Sequence, residues 1–266
     1  MKKYWAVAKT VWQELVEYRI NFFLEIISLT ISFTVIIFIW SIIYGQEGNQ
    51  TLAGFSYSEM ITYLVLSGLL QGTLLVASQG DDVNNDIKQG ALSSFLLKPL
   101  SPFIYWIVRD RFRKIFSLLT TLVAFIPVVF IFRHYLTAPT LPNLLLFILL
   151  AILGSLVHFF LFYLISLFAF WWDETWGERF AIRVILYIAS GAIIPLSMIP
   201  NPWQQIFQWL PFKFIIYFPL EVYLGKADLT AILINSAYLI TWLIFLFGAT
   251  YLTLRRGLKH YSAVGG

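Results

Sequence analysis

Six long apolar runs limit what this chain can become. They cover residues 20–44, 58–78, 115–132, 143–172, 180–200 and 230–254. Crossing the hydrocarbon core takes about 20 apolar residues in a helix, because every backbone polar group must find its partner inside the segment. The fourth run is longer than a perpendicular crossing needs at about 1.5 Å per residue, so it must tilt or protrude. The third is short and is expected to extend back toward Phe103. Composition supports lipid as the solvent: 59% of residues are apolar and 12% charged, where a soluble domain carries about 25% charged residues. The fold expected is therefore all-α. It is a single transmembrane domain over residues 1–266 with six spanning helices, an interfacial helix at the N-terminus and short re-entrant external helices before the last span.

Lys and Arg orient these spans, since loops on the cytoplasmic side collect basic residues. With the N-terminus inside, the external segments hold only Arg133, Lys213 and Lys226; the other 15 of the 18 basic residues fall in cytoplasmic segments. Five or seven spans would scramble that division. Both termini are thus expected in the cytoplasm, in a multi-pass protein of the bacterial inner membrane. The net charge of +4 reflects loop charges that set orientation, and no nucleic-acid partner is expected. No cleavable signal sequence is expected, because the first apolar run is longer than the 7–15 residues of a signal core.

Two segments outside the spans carry a pattern. In residues 1–17, Trp5, Ala8, Trp12 and Leu15 recur at helical spacing, with Lys2, Lys9, Gln13 and Glu17 largely on other faces. This reads as an amphipathic helix lying in the interface. Residues 195–228 are apolar yet hold Pro195, Pro200, Pro202, Pro211 and Pro219, half of the prolines in the chain. Proline removes a backbone donor, and broken backbone is tolerated at membrane depth only under protein or a watery cavity. Two short helices, about 203–210 and 212–224, are expected to dip into the outer leaflet without crossing. Trp203, Trp209 and Tyr217 suit that depth.

Chemistry is sparse. There are no cysteines, so disulfides, thiolate metal sites and Cys nucleophiles are excluded. Neither a phosphate loop nor an H-E-x-x-H metal site nor a G-x-S-x-G elbow occurs. No catalytic residue, metal site or cofactor is expected on this chain, and any ATP and Mg would be bound by a partner. Of the three histidines only His158 lies within a span, and Glu25 sits near the cytoplasmic end of the first. Ionisable groups at such depth are candidates for a translocation path. The alternative for His158 is a neutral ring bonded to a neighbouring helix. For Glu25 it is a local pair. Glu59 and Asp81 bracket the second span as solvated helix ends.

The loop between spans two and three is more informative. Asp86 or Asn85 can cap a helix running to about Leu97, on which Ile87, Ala91, Phe95 and Leu96 share one side. Pro99 ends it, because a residue before proline avoids helical geometry. Such a helix can lie on lipid, fill a groove on a partner, or form part of a solvated connection. The Asp and Asn residues ahead of it disfavour deep lipid contact.

Here the sequence resembles a known family. Asp86-Ile87-Lys88-Gln89-Gly90-Ala91-Leu92, then Leu96-Leu97-Lys98-Pro99-Leu100-Ser101, is similar to the D-I-x-x-G-x-L…L-L-x-P-x-S pattern of type-2 ATP-binding-cassette exporter permeases. Gly191-Ala192-Ile193-Ile194-Pro195-Leu196, Met198-Ile199-Pro200, Trp203, Leu210-Pro211-Phe212, Pro219 and Gly225 resemble its proline-rich external segment. The likeness covers nearly the whole chain.

The resemblance implies a permease that pairs with a second permease chain, identical or not, with one cytoplasmic ABC ATPase subunit bound to each. Residues 84–97 would be the coupling helix, with Asp86, Ile87, Gly90, Leu92, Phe95, Leu96, Leu97, Lys98 and Pro99 at the ATPase. Residues 1–17 would be the connecting helix. The first, second and fifth spans would contribute to the dimer interface and export path, and membrane lipid would surround the rest. The segment Trp171-Trp172-Asp173-Glu174-Thr175-Trp176-Gly177-Glu178-Arg179 reads either as a second ATPase contact or as an aromatic interfacial anchor.

Two other classes compete. An integral-membrane enzyme on lipid-linked substrates would have to gather Glu25, His158, Asp173 and Glu178 at one depth, which the topology opposes. A secondary transporter or channel would be expected to show inverted repeats or buried charge pairs. The nearly uncharged spans favour a lipophilic or amphiphilic cargo.

Overall fold

The computed structural model describes residues 19–45, 51–75, 80–89, 101–172 and 176–261. The described residues form helices α1 (Arg19–Tyr44), α2 (Tyr57–Leu70), α3 (Gly80–Lys88), α4 (Pro102–Phe132), α5 (Leu141–Leu167), α6 (Trp176–Ala189), α7 (Trp203–Trp209), α8 (Tyr217–Tyr223) and α9 (Leu229–His260). Among them no strand occurs, only one isolated bridge between Leu52 and Phe55. The protein is thus an all-α polytopic membrane protein. The helical segments Pro102–Tyr135, Leu141–Phe170 and Leu229–Lys259 are each long and apolar enough to cross a bilayer, and α1 adds the apolar stretch Thr30–Tyr44. The expected interfacial helix at residues 1–17 lies outside the described residues.

Local sequence explains where the helices begin. Ser56 and Glu59 form a capping box at the start of α2, each side chain meeting the other residue's backbone N–H. Thr140 and Asp228 cap α5 and α9 by accepting from the N–H groups of Asn143 and Ala231. Pro102 and Pro142 fall in the first turns of α4 and α5, where a missing N–H costs nothing. The third span does reach back past Phe103, as expected.

Helix α2 is the buried axis of one half of the bundle; none of its residues is exposed. Hydrophobic burial cannot drive apolar helices together in lipid, so close packing has to do so. Gly68 and Gly72 supply it. The ring of Phe33 on α1 and that of Phe125 on α4 lie where a Cβ of Gly68 would stand, and Thr121 on α4 does the same at Gly72. The rings of Phe33 and Phe125 meet edge to face with centroids 4.8 Å apart. At Gln71–Leu75 the helix widens into a π turn, and the Ser117 hydroxyl donates to the Gly72 carbonyl at 2.6 Å. Helix α5 is the hub of the other half, packing against α9, α8 and α3. Gly154 lets α5 meet the backbone of Phe214 and Ile215.

The fifth apolar run departs from expectation. It was read as helical to Pro200, but α6 stops at Ala189 after 14 residues. Gly191 then takes φ +76°, a left-handed conformation open to glycine that ends the helix. The carbonyls this frees are not left bare: Tyr63 donates to Gly191 O at 2.5 Å, Ser67 to Ala192 O at 2.8 Å, and Gln71 Nε2 to Ala192 O at 2.9 Å. One stripe of α2 therefore holds the break in place. Irregular backbone begins at Ser190, ahead of the residue 201 expected.

The proline-rich segment also differs in detail. Pro195 precedes a 3-10 turn at Leu196–Met198, and Pro200 follows it. Trp203 opens α7. Pro211 opens a second 3-10 turn, Pro211–Phe214, so the single helix expected over 212–224 is this turn followed by α8, with Pro219 in the first turn of α8. Residues 211–220 are all buried. The backbone of that stretch is thus covered by protein, while Pro200, Asn201 and Pro202 are exposed.

Candidate functional site

The loop after α2 is the first place to look for chemistry, and its root is firmly built. Helix α3 starts at Gly80 and ends at Lys88, whereas a start near Asn84 was expected. Val83 and Ile87 are buried and α3 packs on α5 and on the 3-10 turn Phe168–Phe170. Ile87 thus faces its own chain and does not lie on an open side, because the α3 face four residues back, at Val83, has the same inward register. Asp86 accepts a hydrogen bond from Trp106 Nε1 on α4 at 2.9 Å. Trp106 is fully buried, and its ring lies 5.4 Å from that of Tyr163 on α5. Gly90, Leu92, Phe95, Leu96, Leu97, Lys98 and Pro99 lie outside the described residues.

Beneath this root the seam between α4 and α5 is crossed by long side chains; their backbones do not pack closely. Asp110, buried on α4, pairs with Arg111 at 2.5 Å and with Lys114 at 3.1 Å. Arg111 donates to the hydroxyl and the carbonyl of Ser155 on α5, at 2.5 and 3.0 Å. Lys114 donates to Ser155 O at 3.1 Å and lies 3.4 Å from His158 Nδ1. Beside an ammonium donor, Nδ1 is the acceptor and the ring proton sits on Nε2, an assignment made from the hydrogen-bond network. That Nε2 is buried without a hydrogen-bond partner among the described residues. Buried charges of this kind persist only when paired and hydrogen-bonded.

His158 therefore joins α5 to α4 through Lys114. Glu25 lies in the first two turns of α1; its side chain is outside the described residues. Glu59 is more than a solvated helix end: beyond its capping role it pairs with Lys226 at 2.9 Å, and Lys226 donates to Gly54 O at 2.7 Å. Trp171 and Trp172 are exposed, and Trp172 stacks on Phe168 with centroids 5.0 Å apart. Residues 173–175, at the centre of the segment read as an ATPase contact or an aromatic anchor, lie outside the described residues.

Sequence reasoning passed over four features. Asp110 sat in a run of bases and looked like ordinary cytoplasmic charge. Ser155 looked like one more small polar residue in an apolar span. The Gly68–Gly72 spacing is a small-xxx-small signal that could have been read as a close helix crossing. Lys213, expected as external loop charge, is buried.

This arrangement can carry displacement. No group of three or more His, Cys, Asp or Glu able to hold a metal ion occurs among the described residues. Of the spans expected to open onto a partner copy, α2 is enclosed by its own chain. Helix α1 presents Ile31, Phe38 and Ile42, and α6 presents Phe180, Val184 and Ile188.

No curated protein matches the chain. A family model described as ABC-2 family transporter protein matches residues 30–265, almost the whole sequence. It spans both the loop with its anchored root and the proline-rich segment. The chain accordingly belongs to the ABC-2 transporter family, as the membrane-embedded permease component of an ATP-binding-cassette transporter.

Proposed function

We propose that this chain is the permease subunit of an ATP-driven exporter, working as a dimer and coupled through residues 84–97 to a separate cytoplasmic ATPase. The observation that carries this reading is the anchoring of α3. Its apolar residues Val83 and Ile87 are locked against α5 while Asp86 is held by Trp106 of α4. A loop fixed at its root to two spans transmits a push that a loose loop would absorb. Closure of an ATPase pair would shift α3, and the Asp110–Arg111–Lys114–Ser155–His158 bridge would make α4 and α5 move together.

In this reading both termini are cytoplasmic and the segment at 201–228 faces the outside. His158 and Glu25 remain the polar groups we propose for the path. ATP and Mg stay on the partner. The nearly uncharged exposed faces suit a lipophilic or amphiphilic cargo.

Co-purification tests the reading. Tagged chain isolated from its native membrane with nucleotide trapped is expected to bring down a cytoplasmic ATPase subunit and a second permease chain. Persistent absence of any ATPase subunit overturns it. Gly90→Asp and Leu96→Asp are expected to abolish export while membrane insertion stays normal; unchanged export in both removes residues 84–97 from the coupling role.

A further inference from the structure

A cleft of about 330 Å³ opens between the proline-rich segment and α9. Trp209, Lys213, Tyr217, Glu221, Asn235 and Tyr238 are among the residues that line it. Lys213 is buried; its ammonium donates to Asn235 Oδ1 at 2.7 Å and lies 5.0 Å from the centre of the Phe214 ring. Asn235 is itself fixed, donating to Ala231 O at 2.9 Å. An ammonium has three donors, and Asn235 uses one. Across the cleft the Glu221 carboxylate accepts from the Tyr217 hydroxyl. The Trp209 and Tyr238 rings meet edge to face, 5.5 Å between centroids, and both are exposed at the mouth.

We propose that this cleft binds the headgroup of an amphiphile in which a phosphate is linked to an ammonium group, the phosphate at Lys213 and the ammonium at Glu221 beside Trp209 and Tyr238. Lys213 and Glu221 line the same cleft and act on each other electrostatically, with no ion pair between them, so a ligand carrying both charges can meet each with its opposite. Aromatic faces next to a carboxylate are a familiar cradle for an ammonium. Exposed Trp203, Ile206 and Trp209 on α7 put the mouth at the depth where aromatic residues meet headgroups, so acyl chains can remain in lipid. Burial drives Lys213 down and Glu221 up from their ordinary values. Each charge therefore gains from an opposite charge delivered by a ligand.

That the ligand comes from the outer leaflet rests on the orientation proposed above; its binding does not. Native mass spectrometry of the purified complex, with and without ATPase subunits, is to be run with short-chain phosphatidylethanolamine and, as a comparison, short-chain phosphatidylglycerol. Wild type is expected to hold the ethanolamine lipid about tenfold more tightly. Lys213→Met is expected to lose both lipids. Glu221→Gln is expected to bind the two equally. Tyr238→Leu, at a part-exposed position of α9, is expected to weaken ethanolamine selectively and covers the case in which Lys213→Met elutes abnormally. Equal binding of both lipids by wild type, or an unchanged preference in Glu221→Gln, overturns the proposal. ATPase stimulation by the ethanolamine lipid marks it as cargo, and its absence marks a resident lipid; either result upholds the site.

Discussion

At the residue scale, charge placement matters most. Asp110 is the one carboxylate shown against both Arg111 and Lys114, and it is buried. Removing one partner of a buried pair strands the other, at a cost of about 3–5 kcal/mol. Asp110→Asn is therefore expected to lower the thermal midpoint of the detergent-purified protein clearly, while Arg255→Gln, at an exposed position of α9, leaves it nearly unchanged. Equal midpoints in the two variants would deny the pair its structural role. Glu221 gives a pH test. Burial raises its carboxyl above the ordinary 4.5, against smaller opposing effects of Tyr217, Lys213 and Lys226. The fold then favours the protonated form. That contribution is complete below pH 4.5 and fades as pH rises through the raised value. Glu221→Gln is expected to flatten the fall in thermal midpoint above pH 4.5; an unaltered slope would place that proton elsewhere.

At the element scale, glycines decide how closely segments approach. Gly154 stands where the backbone of Phe214 and Ile215 crosses α5. A backbone obstacle cannot swing aside as a side-chain end can, so Gly154→Val is expected to expel the proline-rich segment. Limited proteolysis checks this: new cleavage within residues 195–228 is expected, with α5 still inserted. The same scale shows what hydropathy could read. Runs 115–132, 143–172 and 230–254 became α4, α5 and α9, because a long apolar helix satisfies its own backbone wherever it lies. Run 180–200 breaks at Gly191, a break hydropathy does not show because the side chains that donate to the Gly191 and Ala192 carbonyls, Tyr63, Ser67 and Gln71, are distant in sequence. The long fourth run is continuous in the fold, α5 passing directly into the 3-10 turn Phe168–Phe170.

At the scale of the whole molecule, two predictions bear on transport and topology. Trp106→Phe keeps a ring in place but removes the donor to Asp86, a charge-assisted bond worth about 1.5–3 kcal/mol. The reconstituted transporter is expected to hydrolyse ATP at near-normal rate while export falls; parallel loss of both would point to misfolding instead. Because the chain has no cysteine, single cysteines report sidedness cleanly. Lys88→Cys is expected to label only from the cytoplasmic side and Lys226→Cys only from outside. Labelling of both from one side would reverse the orientation.

The amino-acid order alone settled the solvent and the fold class. Its uninterrupted apolar runs leave lipid as the only medium that can cover them, and its motifs already resembled the family to which the chain belongs. Much of the candidate site was legible only as a place: the loop after α2 was picked out by Asp86, Pro99 and their neighbours. The inward turn of Ile87, the Trp106 anchor, the Lys114–Ser155–His158 bridge and the burial of Lys213 were decided by tertiary structure. Each depends on which segment lies opposite, and a charge in sequence carries no mark of whether water or a partner helix will surround it.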